Sequence, residues 1–133
     1  MAGEKFGEKL PAECPPADAL DEALATVYRL VPKAEPDESC FSSHFALGKV
    51  KSEAYKATDC EWASCSLFGS LEVMLKIKGL RKRNKFVAKL SVPEKSGRYI
   101  AAYVAEEMSH IHFWRFNSFN LSNAVESVSE HGL

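Results

Sequence analysis

Hydrophobic and polar positions alternate in twos over much of this chain, and only short stretches repeat at helical spacing. Phe86, Ala88, Leu90 and Val92 alternate with Val87, Lys89 and Ser91, which predicts a strand over 86–92 that Pro93 stops. Ala25 to Val31 reads as an earlier strand, with Val27, Arg29 and Val31 on one face and Tyr28 and Leu30 on the other. Trp62 to Phe68 alternates as well, setting Trp62, Ser64, Ser66 and Phe68 against Ala63, Cys65 and Leu67. Lys95-Ser96-Gly97 supplies a turn into a strand over Tyr99 to Val104. His110 to Phe116 is the last strand, with His110, His112, Trp114 and Phe116 on one side and Ile111, Phe113 and Arg115 on the other.

Helical signals are shorter. Ser70 suits an N-cap, Glu72 suits a first turn, and Leu71, Met74 and Leu75 recur at helical spacing, which predicts a helix ending near Gly79. Asp18 to Leu24 reads as a short helix, as do Glu38 to Leu47, between Asp37 and Gly48, and Leu121 to Val128. Residues 1–17 form an irregular lead broken by Pro11, Pro15 and Pro16, and Lys49 to Asp59 reads as a surface loop. Residues 117–133 form a C-terminal tail that holds the last short helix. Helices early and strands late give an α+β domain over 1–133. It has a mixed or mainly antiparallel sheet, continuous or split, of about five strands with two or three helices.

Composition narrows the classes. A chain of 133 residues with 46% hydrophobic content can bury the core of one domain. Its net charge of −1 gives no overall pull towards nucleic acid or acidic membranes. No apolar run is long enough to span a bilayer, and Met1 to Lys9 lacks the apolar centre of a signal peptide, so a cytoplasmic location is expected. There Cys14, Cys40, Cys60 and Cys65 read as reduced thiols, with Cys65 turned into the core. Arg81, Lys82, Arg83 and Lys85 read as a solvated connection favoured by the preceding helix C-terminus; they are the one hint of nucleic acid, which is not the expected partner.

Three polar sets interrupt otherwise apolar strand faces: Arg29, Ser64 with Ser66, and His110 with His112. Buried without partners, each group would cost about 2 kcal/mol or more. They therefore pair with one another, line a pocket, or lie on partly solvated faces. His110 and His112 have a spacing that can chelate a metal. A third ligand would have to come from His44, Cys60, Glu106 or Glu107, none at a diagnostic distance, so no metal is expected. There is no Gly-x-Ser-x-Gly elbow and no Gly-rich nucleotide loop.

The pieces Tyr28-Arg29-Leu30-Val31, Ala63-Ser64-Cys65-Ser66-Leu67-Phe68-Gly69-Ser70 and His110-Ile111-His112-Phe113-Trp114 look like those of a small bacterial protein. More distantly, they resemble the ADP-ribosyltransferase superfamily. That family has an Arg or His on its first strand, a Ser-Thr-Ser-like strand, and a late strand carrying a Glu or other polar residue. Arg29 answers to the first, and Ser64-Cys65-Ser66 to the second. In the third, Glu106 and Glu107 precede the His-x-His strand. The resemblance implies a split mixed sheet around a cleft for NAD or another nucleotide. Arg29 would hold a phosphate or ribose hydroxyl, Ser64 with Ser66 would hydrogen-bond the cofactor or fix the cleft wall, and His112 or His110 would contact the ligand or act as acid or base. The alternative is a non-catalytic protein-binding factor, of the antitoxin, immunity or defence-operon accessory kind, using Trp62, Phe68, Trp114 and Phe116 as an aromatic patch. A third reading puts those aromatics in the core.

Overall fold

In the computed structural model, which describes residues 5–50, 58–101 and 110–133, the strands gather into one sheet. They are β1 (Leu24–Val31), β2 (Cys65–Phe68), β3 (Phe86–Val92), β4 (Gly97–Ala101), β5 (His110–Arg115) and β6 (Val125–Glu130). Their order is β4-β5-β2-β1-β3-β6, and every pairing is antiparallel. Among the described residues four short helices accompany them: α1 (Asp59–Trp62), α2 (Leu71–Leu75), α3 (Lys78–Arg83) and α4 (Leu121–Ala124). The class is α+β, with one strand more than expected. The far end of the expected strand over Tyr99 to Val104 lies outside the described residues, as do Glu106 and Glu107.

The link from β3 to β4 requires a strongly curled sheet. Residues 93–96 alone join Val92 to Gly97, a reach of at most about 18 Å. In the strand order β5, β2 and β1 lie between β3 and β4, which in a flat sheet would set them about 19 Å apart. Lys95 has φ 67°, so the link bends and is not a taut ribbon. The chain ahead of β1 closes the same corner. Leu20 exchanges two backbone hydrogen bonds with Tyr99 of β4, both 2.9 Å, while Leu24 pairs with Val92 of β3. The Asp21 carboxylate accepts the Lys95 amide at 2.7 Å. This pairing overrides the helix expected over Asp18 to Leu24, because it covers an edge of β4 that would otherwise be bare.

All six strands contribute to the larger core, as the inside of a curled sheet demands; Val27, Val31, Leu67, Leu90 and Phe113 meet Phe41 and Phe119 there. On the opposite face, Leu30, Phe68 and Val87 pack under Met74, with Leu75 and Leu80 alongside. A Cβ at position 97 would lie 2.5 Å from the Trp114 carbonyl oxygen and 2.7 Å from the Phe113 ring. Only glycine therefore lets β4 close on β5.

Several expectations are corrected. Trp62 is not in a strand: the Thr58 side chain accepts the Glu61 amide and the Glu61 side chain accepts the Thr58 amide, and this reciprocal cap turns 59–62 into α1. The helix expected over Glu38 to Leu47 is a 3-10 turn, Glu38–Phe41, capped by Asp37. The chain leaves it because Glu8 holds the Ser43 amide and hydroxyl, at 3.0 and 2.6 Å. The helix from Ser70 ends at Leu75, and Arg81, Lys82 and Arg83 of the basic cluster belong to a second helix, α3, while Lys85 lies in the link to β3. His131 fastens the end of α3, its Nε2 lying 2.8 Å from the Asn84 carbonyl and 3.2 Å from that of Arg81. The C-terminal helix stops at Ala124, and β6 follows because β3 offers a free edge to Val125 and Val128.

The N-terminal lead is irregular but docked. Phe6 bridges Phe116, the Gly7 amide donates to the Arg115 carbonyl at 3.0 Å, and Glu8 faces Arg115 at 3.7 Å. Cys14 and Cys60 form a disulfide, which corrects the expectation of four reduced thiols; 46 positions apart, their meeting depends on the docking of the lead. Cys40 and Cys65 are free and buried, and Cys65 does face the core. No helix among the described residues is long and apolar enough to cross a membrane.

Met74 is fully buried and anchors α2 on the sheet. Met74→Ala is expected to lower stability by about 3 kcal/mol, read from the urea denaturation midpoint.

Candidate functional site

β1 and β2 share a single register pair, Tyr28 with Phe68, whereas β1 and β3 pair along most of their length. Beyond that pair β1 and β2 part, and Arg29 fills the opening. Its Nε donates to the Cys40 carbonyl at 2.8 Å and its Nη1 to the Ser66 carbonyl at 2.7 Å. Its guanidinium carbon lies 5.5 Å from the centre of the Phe41 ring. The fork thus supplies Ser66 with a donor where the strand ladder has stopped. The stem of Arg29 shares the apolar face with Val27 and Val31 while its head satisfies two backbone oxygens.

Around this opening lies a cleft of about 790 Å³, a size typical of small-molecule sites. Its floor is apolar, with Leu30, Phe68, Val73, Ile77 and Leu80. Arg29, Lys49, Lys76 and Arg83 contribute positive charge, and no Asp or Glu is found among the described lining residues. Serine hydroxyls at 42, 43, 64 and 66 add neutral polar groups. His44 senses the resulting field: burial, and then the charges of Lys49, Arg29 and Arg83, push its pKa down.

One wall is a ladder of serines and histidines. Ser66 is in register with His112, and Phe68 with His110. The serine hydroxyls reach diagonally, within range of side chains across an antiparallel pair. Ser66 Oγ lies 2.8 Å from His110 Nε2, and Ser64 Oγ lies 2.9 Å from His112 Nδ1. The two rings are 4.5 Å apart, and His110 stacks on Phe68 at 5.2 Å. Behind His112 sits Glu61, with Oε2 3.5 Å from Nε2 and Oε1 accepting the Thr58 amide at 2.9 Å. Ser64 also donates to the Glu61 carbonyl at 2.6 Å. Burial, then the neighbouring His112, lowers the His110 pKa to about 4, with Glu61 opposing. Burial also pushes His112 down against Glu61. Both rings are neutral at pH 7 and serve as hydrogen-bond partners of the serines.

Arg29, Ser64, Ser66 and His110 therefore line one cleft, while His112 is buried behind it against Ser64. The aromatic patch is corrected: Phe68, Trp114 and Phe116 are buried, and Trp62 is partly buried on α1. Trp114 Nε1 donates to the Cys60 carbonyl at 2.9 Å, Phe116 packs edge-on against Phe6, and Trp62 stacks on His44. Of the basic cluster, Arg83 lines the cleft, Arg81 donates to the Leu75 carbonyl at 2.9 Å, and Lys82 and Lys85 are exposed. Among the described residues, no three His, Cys, Asp or Glu side chains gather as a metal site. Sequence reasoning missed Glu61, which the Thr58-x-x-Glu61 capping pattern marks. It also missed Lys49 and Lys76, which carry no local signal because distant segments bring them to the cleft. The chain matches no family model, no curated protein and no solved structure.

Arg29→Met is expected to lower stability by about 2 kcal/mol or more, because two carbonyls lose their donor; Arg29→Lys should recover part of this, as a single ammonium lacks the fork. Urea midpoints of the three proteins check it. A pH dependence is also expected. The folded-state pKa of His110 is lowered, so the unfolded chain binds the proton more readily. Stability should be fully present above about pH 6.5, fall as the pH drops towards about 4, and lose nothing more from this group below that. Denaturation midpoints across that range should fall less steeply in His110→Gln than in the native chain.

Proposed function

We propose that the protein binds a phosphate-bearing small molecule of the nucleotide class, NAD included, in the cleft where β1 and β2 part. The observation that carries this reading is the sign of the charge there: four cationic side chains, apolar ground beneath them, and no acidic side chain among the described lining residues. Cations with no Asp or Glu among the described lining residues favour an anion with several oxygens, and the apolar floor suits a flat ring. Arg29 is already bound to two carbonyls, which fixes its position before any ligand arrives. The likeness to the ADP-ribosyltransferase pieces points the same way, since Arg29, Ser64 and Ser66 share one cleft, with His110 beside them. The competing reading, a protein-binding factor, loses support because its aromatic residues are mostly buried. The Cys14–Cys60 disulfide favours an oxidising compartment over the cytoplasm expected from the sequence.

Calorimetric titration of the full chain with AMP, NAD and inorganic pyrophosphate at low salt tests the reading. Saturable binding by at least one is expected, weakened about tenfold or more in Lys76→Glu and in Arg83→Glu. Absence of saturable heat with all three overturns it.

A further inference from the structure

The cleft wall holds a serine hydroxyl bonded to a neutral imidazole, which ligand binding alone does not require. We propose that Ser66 and His110 form a nucleophile and base that hydrolyse carboxylic esters or thioesters of phosphate-bearing molecules held in the cleft. The substrate class rests on the anionic-ligand reading above; the pair itself rests on its own geometry.

Ser66 Oγ is 2.8 Å from His110 Nε2, and both residues line the cleft. This is the reach that a serine nucleophile and its base need. The two serines of the wall differ. Ser64 is buried, and its hydroxyl donates to the Glu61 carbonyl as well as meeting His112. Among the described residues, the Ser66 hydroxyl has the single partner His110, and Ser66 is only half-buried. The His110 ring is held in place, stacked on Phe68 with 19° between the planes and flanked by His112. Burial keeps the ring neutral at pH 7, and in the tautomer protonated at Nδ1 its Nε2 offers a lone pair for the serine proton. Arg29 binds the carbonyl of Ser66 itself. That bond holds the backbone that carries the nucleophile.

The chemistry balances with water as the only co-reactant. Ser66 Oγ attacks the acyl carbon, and its proton passes to His110 Nε2. The bond to the leaving oxygen or sulfur breaks, and the leaving group takes that proton. Water then attacks the acyl-serine and gives a proton to His110. Ser66 Oγ departs, recovers the proton and frees the carboxylic acid. Nothing is oxidised or reduced.

Diisopropyl fluorophosphate, a neutral serine reagent, tests the pair on the full chain at pH 7. The readouts are intact mass, peptide mapping and circular dichroism of each protein. One adduct on Ser66 is expected. It should be absent in S66A and should form on the order of 100-fold more slowly in H110Q. H110N serves if H110Q fails to fold, and the mapped site on the native chain stands without any variant. No adduct on the folded native chain, an adduct on another serine, or an unchanged rate in the folded His110 variant overturns the pair. Titration of the same sample with AMP, NAD and pyrophosphate separates the two readings. An adduct without binding of any of the three keeps the pair and removes the phosphate-bearing substrate class; binding without an adduct keeps the ligand site and removes the pair.

Discussion

The bond from Arg29 to the Ser66 carbonyl is the contact on which the cleft depends. Two strands in the middle of a sheet cannot simply part, because each backbone group left without a partner is costly. Here β1 and β2 separate after one register pair, and a guanidinium on β1 takes over the role of a backbone donor. Its second bond, to the Cys40 carbonyl, draws the 3-10 turn across the opening, and Phe41 then seals the core beneath it. The gap therefore opens a pocket towards solvent without exposing the interior of the curled sheet. A lysine could supply charge at this place but not two donors in a fixed fork.

Charge separation within the molecule gives the cleft its character. The chain is nearly neutral, with 17 Lys and Arg against 18 Asp and Glu, so composition conceals any local imbalance. The acids near the site are held elsewhere. Glu61 lies behind His112 within its own capping box, and Glu8 is bound to Ser43 and Arg115. Asp37 pairs with Lys33 and caps the 3-10 turn. Among the described residues, Arg29, Lys49, Lys76 and Arg83 line the cleft with apolar side chains and no Asp or Glu.

The serine–histidine wall shows how one strand pair can serve both packing and chemistry. Ile111 and Phe113 turn into the main core, while His110 and His112 turn to the face that α1 and α2 partly cover. Neither ring could be buried there without hydrogen-bond partners. The alternation of β2, with Ser66 opposite Cys65 and Leu67, and Ser64 just ahead of the strand place those partners at the right height. The same alternation that builds the sheet therefore brings a hydroxyl to a neutral imidazole at the rim of the cleft.

The period of the sequence determined the strands that have a buried face on each side of an alternation. Phe86–Val92 appears as read, and Arg29, Ser64, Ser66, His110 and His112 stand out because each breaks an apolar face. Local chemistry also determined the Ser70 cap. It contained the Thr58–Glu61 cap too, although the alternation from Trp62 masked that signal. Tertiary structure alone decided the rest. Val125–Glu130 is a strand because β3 presents a free edge, and Leu20 is extended because β4 does. Cys14 reaches Cys60 because the N-terminal lead is docked by Glu8, and Lys49, Lys76 and Arg83 share a cleft because the sheet curls and β1 leaves β2. Periodicity reports which side of an element is buried; it carries no information about which distant segment covers that side or where two strands cease to pair.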